Sequence, residues 1–200
     1  MRRRKNTRSK LTRKNRKHIT YDPAYDSGQK VYPVNAKTSG LYVEILERLI
    51  QQYEVIKQLH NRVFVLRFDL HLAEYSADNG VMTRFMRRLL PKVKRRYALS
   101  HVGYGWVREQ VNSVVPHYHC VLFLDAGKVR SAEIILQLIQ QSWLHENTRN
   151  HVSIIPAPFK VADSSDRENQ AVYRFSYLAK VRSKGKRPDQ TKDYSCSRLS

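Results

Sequence analysis

Two histidines separated by one residue stand in VVPHYHCVLFLD, residues 114–125, and Glu109 closes the segment WVREQ just upstream. The alternation there predicts a strand over 116–124. Residues two apart share a strand face, so His117 and His119 project together, with Val121 and Phe123 beyond them. A preceding strand over 101–109, joined by a polar turn centred near Ser113, sets Glu109 opposite His117, with Cβ atoms roughly 5 Å apart. Two imidazoles and a carboxylate make a three-ligand site with positions open to water and a phosphate oxygen. That mixed set suits Mg²⁺ or Mn²⁺ and also accepts cobalt, nickel or zinc. Gly103 and Gly105 share the Glu109 face and are expected to leave room for a substrate. A histidine pair on an apolar strand also fits a purely structural role; the placement of Glu109 favours the metal.

The second constellation is YRFSYLAKVRSK, residues 173–184. On a helix expected over 168–182, Tyr173, Tyr177, Lys180 and Lys184 fall on one face, while Val172, Phe175 and Leu178 line another. A tyrosine can attack phosphorus, but making phenoxide from a phenol of pKa about 10 costs roughly 4 kcal/mol at pH 7. Lys180, one turn from Tyr177, is the expected partner for that charge. Aromatic residues packed beside basic ones on an interface helix give the plainer alternative.

The elements that must position these residues follow from periodicity. Leu41, Ile45, Leu49, Tyr53 and Ile56 predict an amphipathic helix over 40–59. RVFVLRFDLHL, residues 62–72, predicts a strand with Phe64, Leu66, Phe68 and Leu70 on one side and Val65, Arg67, Asp69 and His71 on the other. A basic helix spans 81–97, interrupted or bent near Pro91, and a third amphipathic helix spans 129–146. A short strand at 151–155 and a loop at 156–167 precede the tyrosine helix. After the first helix the order is β-α-β-β-α-β-α. That is an α+β fold of ferredoxin-like plan, an antiparallel sheet with helices on one face.

Charge narrows the partner. The 200 residues hold 37 Lys and Arg against 17 Asp and Glu, a net charge of +20 that favours a polyanion, and above all nucleic acid. Half of that excess lies in the first 18 residues, MRRRKNTRSKLTRKNRKH. Residues 1–37 are read as a disordered basic tail followed by an irregular linker at 19–37, and 38–200 as the domain, irregular over its last 17 or so residues. A solubilising or targeting tail is the alternative. Arg67, Arg84, Arg87, Arg88 and Lys184 are the expected DNA contacts. The apolar content, 41%, is enough for a core and excludes a wholly disordered chain. No apolar run is long enough to span a membrane, and Cys120 and Cys196 stand far apart without a CxxC pair, which fits a reducing cytoplasm.

Taken together, Glu109, His117-Tyr118-His119 and Tyr177-Leu178-Ala179-Lys180, in that order, resemble the HUH endonucleases, whose motif is His, a bulky residue, His. The closest likeness is to the replication initiators of filamentous phages and the similar YagK/YfjJ-type prophage proteins, over roughly residues 40–182. The resemblance implies a site-specific nick in one strand at an origin, a 5′-phosphotyrosine link and a free 3′-OH that starts rolling-circle replication. It implies Glu109, His117 and His119 as ligands of Mg²⁺ or Mn²⁺, Tyr177 as nucleophile, and Lys180 as the residue that positions phosphate or stabilises charge. Tyr173, a helical turn away, is a candidate second nucleophile, although position 176 gives it no lysine of its own. The implied partners are single-stranded or supercoiled origin DNA with a host helicase and polymerase, since no ATP-binding motif follows.

Two rival classes stay open. A basic DNA- or RNA-binding regulator without catalysis explains the charge but makes the Glu/His/His/Tyr/Lys set accidental. A hydrolase of the histidine-triad kind wants a third histidine where Val121 stands. Zinc deaminases are excluded, because neither H-x-E nor P-C-x-x-C occurs. Transposases and plasmid relaxases share the resemblance; the short chain and the Tyr177-x-x-Lys180 spacing lean toward an initiator.

Overall fold

In the computed structural model the chain runs β1 (Ile19–Thr20), β2 (Ala24–Asp26), β3 (Val31–Pro33), β4 (Leu41–Tyr42), α1 (Val43–Leu59), β5 (Val63–His71) and α2 (Gly80–Tyr97). It continues with β6 (Gly103–Glu109), β7 (His117–Asp125), α3 (Glu133–Leu144), β8 (His151–Ile154), β9 (Phe159–Val161), α4 (Ser165–Phe175), a 3-10 turn (Ser176–Ala179) and β10 (Tyr194–Cys196). The structure describes residues 18–110, 115–155, 159–161, 165–182, 184, 188 and 191–200. The basic segment 1–17 and the turn expected near Ser113 lie outside these residues.

The main sheet is antiparallel in the order β10-β6-β7-β5-β8, with β9 pairing the first half of β5 and β8 its second half. The expected α+β class holds. Within β5-α2-β6-β7-α3-β8, the strand order β6-β7-β5-β8 is the ferredoxin-like split arrangement.

The helices, however, cover both faces of the sheet rather than one. Alternation along β5 and β7 produces two apolar sets, and each needs cover. Phe64, Leu66, Phe68, Tyr118, Cys120, Leu122 and Leu124 pack with α2 and α3. Val63, Val65, Val107, Val121 and Phe123 pack with α1 and α4. A sheet buried on both sides reads as near-continuous hydrophobic runs, and β7 is buried over seven successive residues from Tyr118 to Leu124.

Gly103 and Gly105 serve this second layer. A Cβ on Gly105 would stand 2.3 Å from Leu49 Cδ2, and one on Gly103 would stand 3.1 Å from Ile56 Cγ1. The glycines admit α1 against β6; they do not open space for a substrate.

Four further expectations are corrected. Residues 19–37 are not an irregular linker: β1 pairs β4, β2 pairs β3, and Tyr32, Val34 and Ala36 are core residues. The pairing of Leu41 with Thr20 also delays α1 to Val43. At Gly40, φ is +65° and a Cβ would meet Ile19 Cγ2 at 2.8 Å, so this turn requires glycine. The basic helix runs unbroken through Pro91, which sits on its solvent-exposed side, where water can hydrate the carbonyl that proline leaves unbonded. Finally, the C-terminal stretch is not irregular throughout, since Tyr194–Cys196 extends the sheet along β6. Among the described residues, no helix is long and apolar enough to cross a membrane.

Candidate active site

The histidine strand and its neighbours converge at one end of the sheet. Glu109 pairs opposite His117 and Val107 opposite His119, the register expected of the hairpin. On the other side of β7, Asp69 pairs with His119 and His71 with His117. Strand alternation therefore brings two carboxylates and three imidazoles onto the α1/α4 face.

The closest contacts lie around His119, which is 6% exposed. Its Nε2 is 3.1 Å from Glu109 Oε2, and its Nδ1 is 2.7 Å from Asp69 Oδ1. His117 Nε2 lies 3.8 Å from Glu109 Oε2. The ligand atoms of Glu109, His117 and His119 all fall within 4.8 Å of one another. Two donors bound at about 2.1 Å and right angles to a common cation would be about 3 Å apart, so this spacing fits.

The donor chemistry fits as well. Neither ring nitrogen of His119 makes an aligned hydrogen bond despite the short approaches, and both are buried. A buried donor or acceptor left in that state is destabilising, and a cation between Nε2 and the Glu109 carboxylate removes the deficit. Asp69 against Nδ1 stands where an outer carboxylate would orient a metal-bound imidazole. The Glu109/His117/His119 group could thus hold a divalent metal ion.

Lys184 completes the electrostatics. Its side chain is fully buried, and Nζ donates to Glu109 Oε1 at 2.7 Å and to the Lys180 carbonyl at 2.5 Å. Burial pushes the Glu109 carboxyl up, but the His119 contact and the Lys184 ammonium outweigh it and hold its pKa at about 2. Burial opposes protonation of His119, yet the Asp69 and Glu109 carboxylates win and raise its pKa. His117 is lowered, first by burial and then by the His119 charge. Lys184 is therefore no DNA-facing cation, contrary to expectation; it is the internal counter-charge of the candidate metal ligand.

The tyrosine segment differs from the single helix expected. The α-helix ends at Phe175, and Tyr177 lies on the 3-10 turn, with Lys180 in extended backbone bridged to Leu41. Ser176 explains the change. Its Oγ donates to the Tyr173 carbonyl at 2.8 Å and accepts the Asn35 amide at 2.9 Å, tying the turn to the chain after β3. Lys180 does not reach for the phenol; its ammonium donates to the Lys37 carbonyl at 2.6 Å.

Tyr177 nonetheless arrives at the metal-ligand group. Its ring stands edge-on to His119, centroids 5.4 Å apart and planes at 88°. The Arg67 guanidinium lies over the ring at 4.3 Å, and Arg182 Nη2 donates to the phenol oxygen at 2.7 Å. Tyr173 projects from α4 into an open cleft that Tyr177 also lines, and it is 37% exposed.

Sequence reasoning missed Asp69, Arg182 and the stacking of His71 on His117 at 5.5 Å. Asp69 was within reach, since it shares a strand face with Arg67 and His71 in the alternating segment. The Arg182 contact had no sequence signal, because a regular helix would have carried that residue to another side. Of the expected DNA contacts, Arg67 lies at the site. Arg84 and Arg88 both bind the Glu146 carboxylate on the α2/α3 side of the sheet, where Arg87 is exposed.

No curated protein and no solved structure matches the chain. Residues 25–155 match the family described as the YagK/YfjJ C-terminal domain. The matched stretch includes Asp69, Glu109, His117 and His119 and stops short of the tyrosine segment. It spans well over half of the sequence and holds the whole ferredoxin-like strand set, so the chain belongs to the YagK/YfjJ C-terminal domain family.

Proposed function

We propose that this protein is a metal-dependent nicking endonuclease of the HUH type, which cuts single-stranded DNA at an origin through a 5′-phosphotyrosine intermediate and so starts rolling-circle replication. One observation carries the reading: Tyr177 sits edge-on to His119, with its phenol oxygen held by Arg182.

The steps follow from that placement. Tyr177 Oη attacks the scissile phosphorus, the P–O3′ bond breaks, and the departing oxygen takes a proton to become a free 3′-OH. The phosphorus is then bonded to Tyr177 Oη, which has given up its proton, and still carries the cut strand through its 5′ oxygen. A later attack by a 3′-OH reverses the exchange and reseals a strand, so no nucleotide cofactor is consumed. A guanidinium 2.7 Å from the phenol oxygen favours the developing phenoxide, a role expected of Lys180 but supported better for Arg182. Arg67, over the same ring, adds positive potential for the phosphate. Glu109, His117 and His119 would hold Mg²⁺ or Mn²⁺, with Asp69 fixing the His119 ring and Lys184 fixing the Glu109 carboxylate. That ion would neutralise a non-bridging phosphate oxygen. Supercoiled DNA and a host helicase and polymerase would supply strand opening and extension. The reducing cytoplasm of a bacterium suits the two free thiols, Cys120 and Cys196.

The test is direct. Incubation with Mn²⁺ and pooled single-stranded DNA should give a covalent adduct on a denaturing gel, mapped by peptide analysis to Tyr177. Tyr177→Phe or EDTA should abolish it. An adduct that survives Tyr177→Phe overturns the assignment, and no adduct in any divalent metal leaves a binding protein without catalysis.

A further inference from the structure

Beside Tyr177 lies an open cleft of about 540 Å³ between the β3 end and α4. That is the size range of small-molecule sites, which run from roughly 300 to 1,000 Å³. Its walls combine the flat apolar surfaces of Tyr173, Tyr177 and Pro33 with the carboxamides of Asn35 and Asn169 and the Arg67 guanidinium. This mixture of ring faces, amide edges and a planar cation matches a nucleobase, which offers a π-face and a hydrogen-bonding edge.

We infer that this cleft is the subsite for one unstacked base of the strand being cut, with Tyr173 as its stacking platform and Asn169 as the reader of its edge. The inference rests on the strand-cutting reading above and deepens it.

Three observations support it. Tyr173 is one of the few large hydrophobic side chains left exposed among the described residues, and it lines the cleft three residues before the 3-10 turn begins at Ser176. Asn169 Oδ1 is buried in the wall without a hydrogen-bond partner. The carboxamide carries an acceptor oxygen and a donor nitrogen side by side, the pair that adenine's N6 and N7 edge requires. Arg67 spans the cleft and the Tyr177 ring, 3.8 Å from Asp69, and its Nε has no partner. A base in the cleft therefore brings its own phosphate toward Arg67 and the Tyr177 oxygen. Tyr173 serves on this account through its ring, and its hydroxyl takes no part in a second attack.

The experiment uses the full chain in EDTA, where cutting is off. A pool of short random-sequence single-stranded DNA is offered to wild type, Asn169→Ala, Tyr173→Ala and Tyr173→Phe, and affinity and the sequences of the bound fraction are read. Wild type should prefer one base at one position. Asn169→Ala should lose that preference, about tenfold, at that position alone. Tyr173→Ala should lose roughly tenfold in overall affinity, while Tyr173→Phe keeps it. Thermal unfolding checks that each variant is folded, and Tyr173→Leu replaces the alanine variant if that one is not. Unchanged base preference and affinity in both Asn169→Ala and the ring-less Tyr173 variant overturn the subsite, as does equal loss in Tyr173→Phe. The two readings separate cleanly. Base-selective binding with no adduct in Mn²⁺ removes strand cutting, whereas an adduct formed by variants with unaltered binding removes only the subsite.

Discussion

Glu109 and Glu168 are both almost wholly buried carboxylates near lysines, yet their surroundings differ in kind. Glu168, on α4, accepts Lys30 Nζ at 2.7 Å on one oxygen, and Lys57 Nζ at 2.6 Å and the Tyr53 hydroxyl at 3.0 Å on the other. The tie links the β2–β3 hairpin, α1 and α4, and its donors point squarely at the carboxylate. Among the described residues Glu109 has one such donor, Lys184, and otherwise faces His117 and His119, the latter with both buried ring nitrogens lacking an aligned hydrogen bond. A buried acid is thus no sign of function in itself. The sign is polar capacity that the protein assembles and leaves unfilled.

Glu109→Ala should have the largest effect. It removes the only carboxylate among the three candidate ligands, so Mn²⁺ binding by calorimetry should fall below detection, whereas Glu168→Ala should bind Mn²⁺ like wild type. Equal Mn²⁺ affinity in both variants would erase the distinction between the two acids. Stability should run the other way. Glu168→Ala strands the buried Tyr53 hydroxyl and uncouples two lysines that are themselves partly exposed, and should cost about 3 kcal/mol by denaturant unfolding. A loss below about 1 kcal/mol would mean that the tie is ornamental.

Asp69→Asn tests the candidate metal site from behind the His119 ring. It keeps the shape and removes the charge that orients His119, and a change of this kind lowers metal affinity about 10- to 100-fold. No change in affinity would detach Asp69 from the site.

The smallest effect is in pH. Burial pushes the Glu168 carboxyl up, but its hydrogen bonds to Lys30 and Lys57 outweigh this and leave the pKa lowered. Its folded value is then below the unfolded one, near 4.3. Its stabilisation is therefore present above that pH and is lost as pH falls through the folded value. Glu168→Gln should flatten the acid decline of wild-type stability, and an unaltered decline assigns it to other groups.

The part of the site that was legible in the sequence rests on strand geometry. A period of two puts His117 and His119 together whatever the rest of the chain does, and a short hairpin fixes Glu109 opposite them. The tyrosine segment was legible only as residue types. Its helical spacing gave way because Ser176 bonds the Asn35 amide, 141 residues away in sequence, and no local pattern announces such a partner. The roles of three basic residues shifted for the same reason: Lys184 turned inward to Glu109, Lys180 to a backbone carbonyl, and Arg182 took the phenol. Gly105 misled differently, since absence of a side chain reads as room for a ligand until Leu49 is seen to occupy it. In the fold, the strand order could be read from element order, but the second helical layer could not. Continuous apolar runs do not say which face a helix will take.

The 3-10 turn that carries Tyr177 is fastened to the N-terminal segment by Ser176 to Asn35, by Lys180 to the Lys37 carbonyl and by the bridge to Leu41. For anyone preparing a shortened version of this protein, that sets the cut point. A fragment begun at residue 38, where composition first suggests a boundary, would discard two of the three fastenings and the β-hairpin that Glu168 holds. The shortest useful fragment starts at or before residue 18, and a fused tag or fluorophore belongs ahead of it.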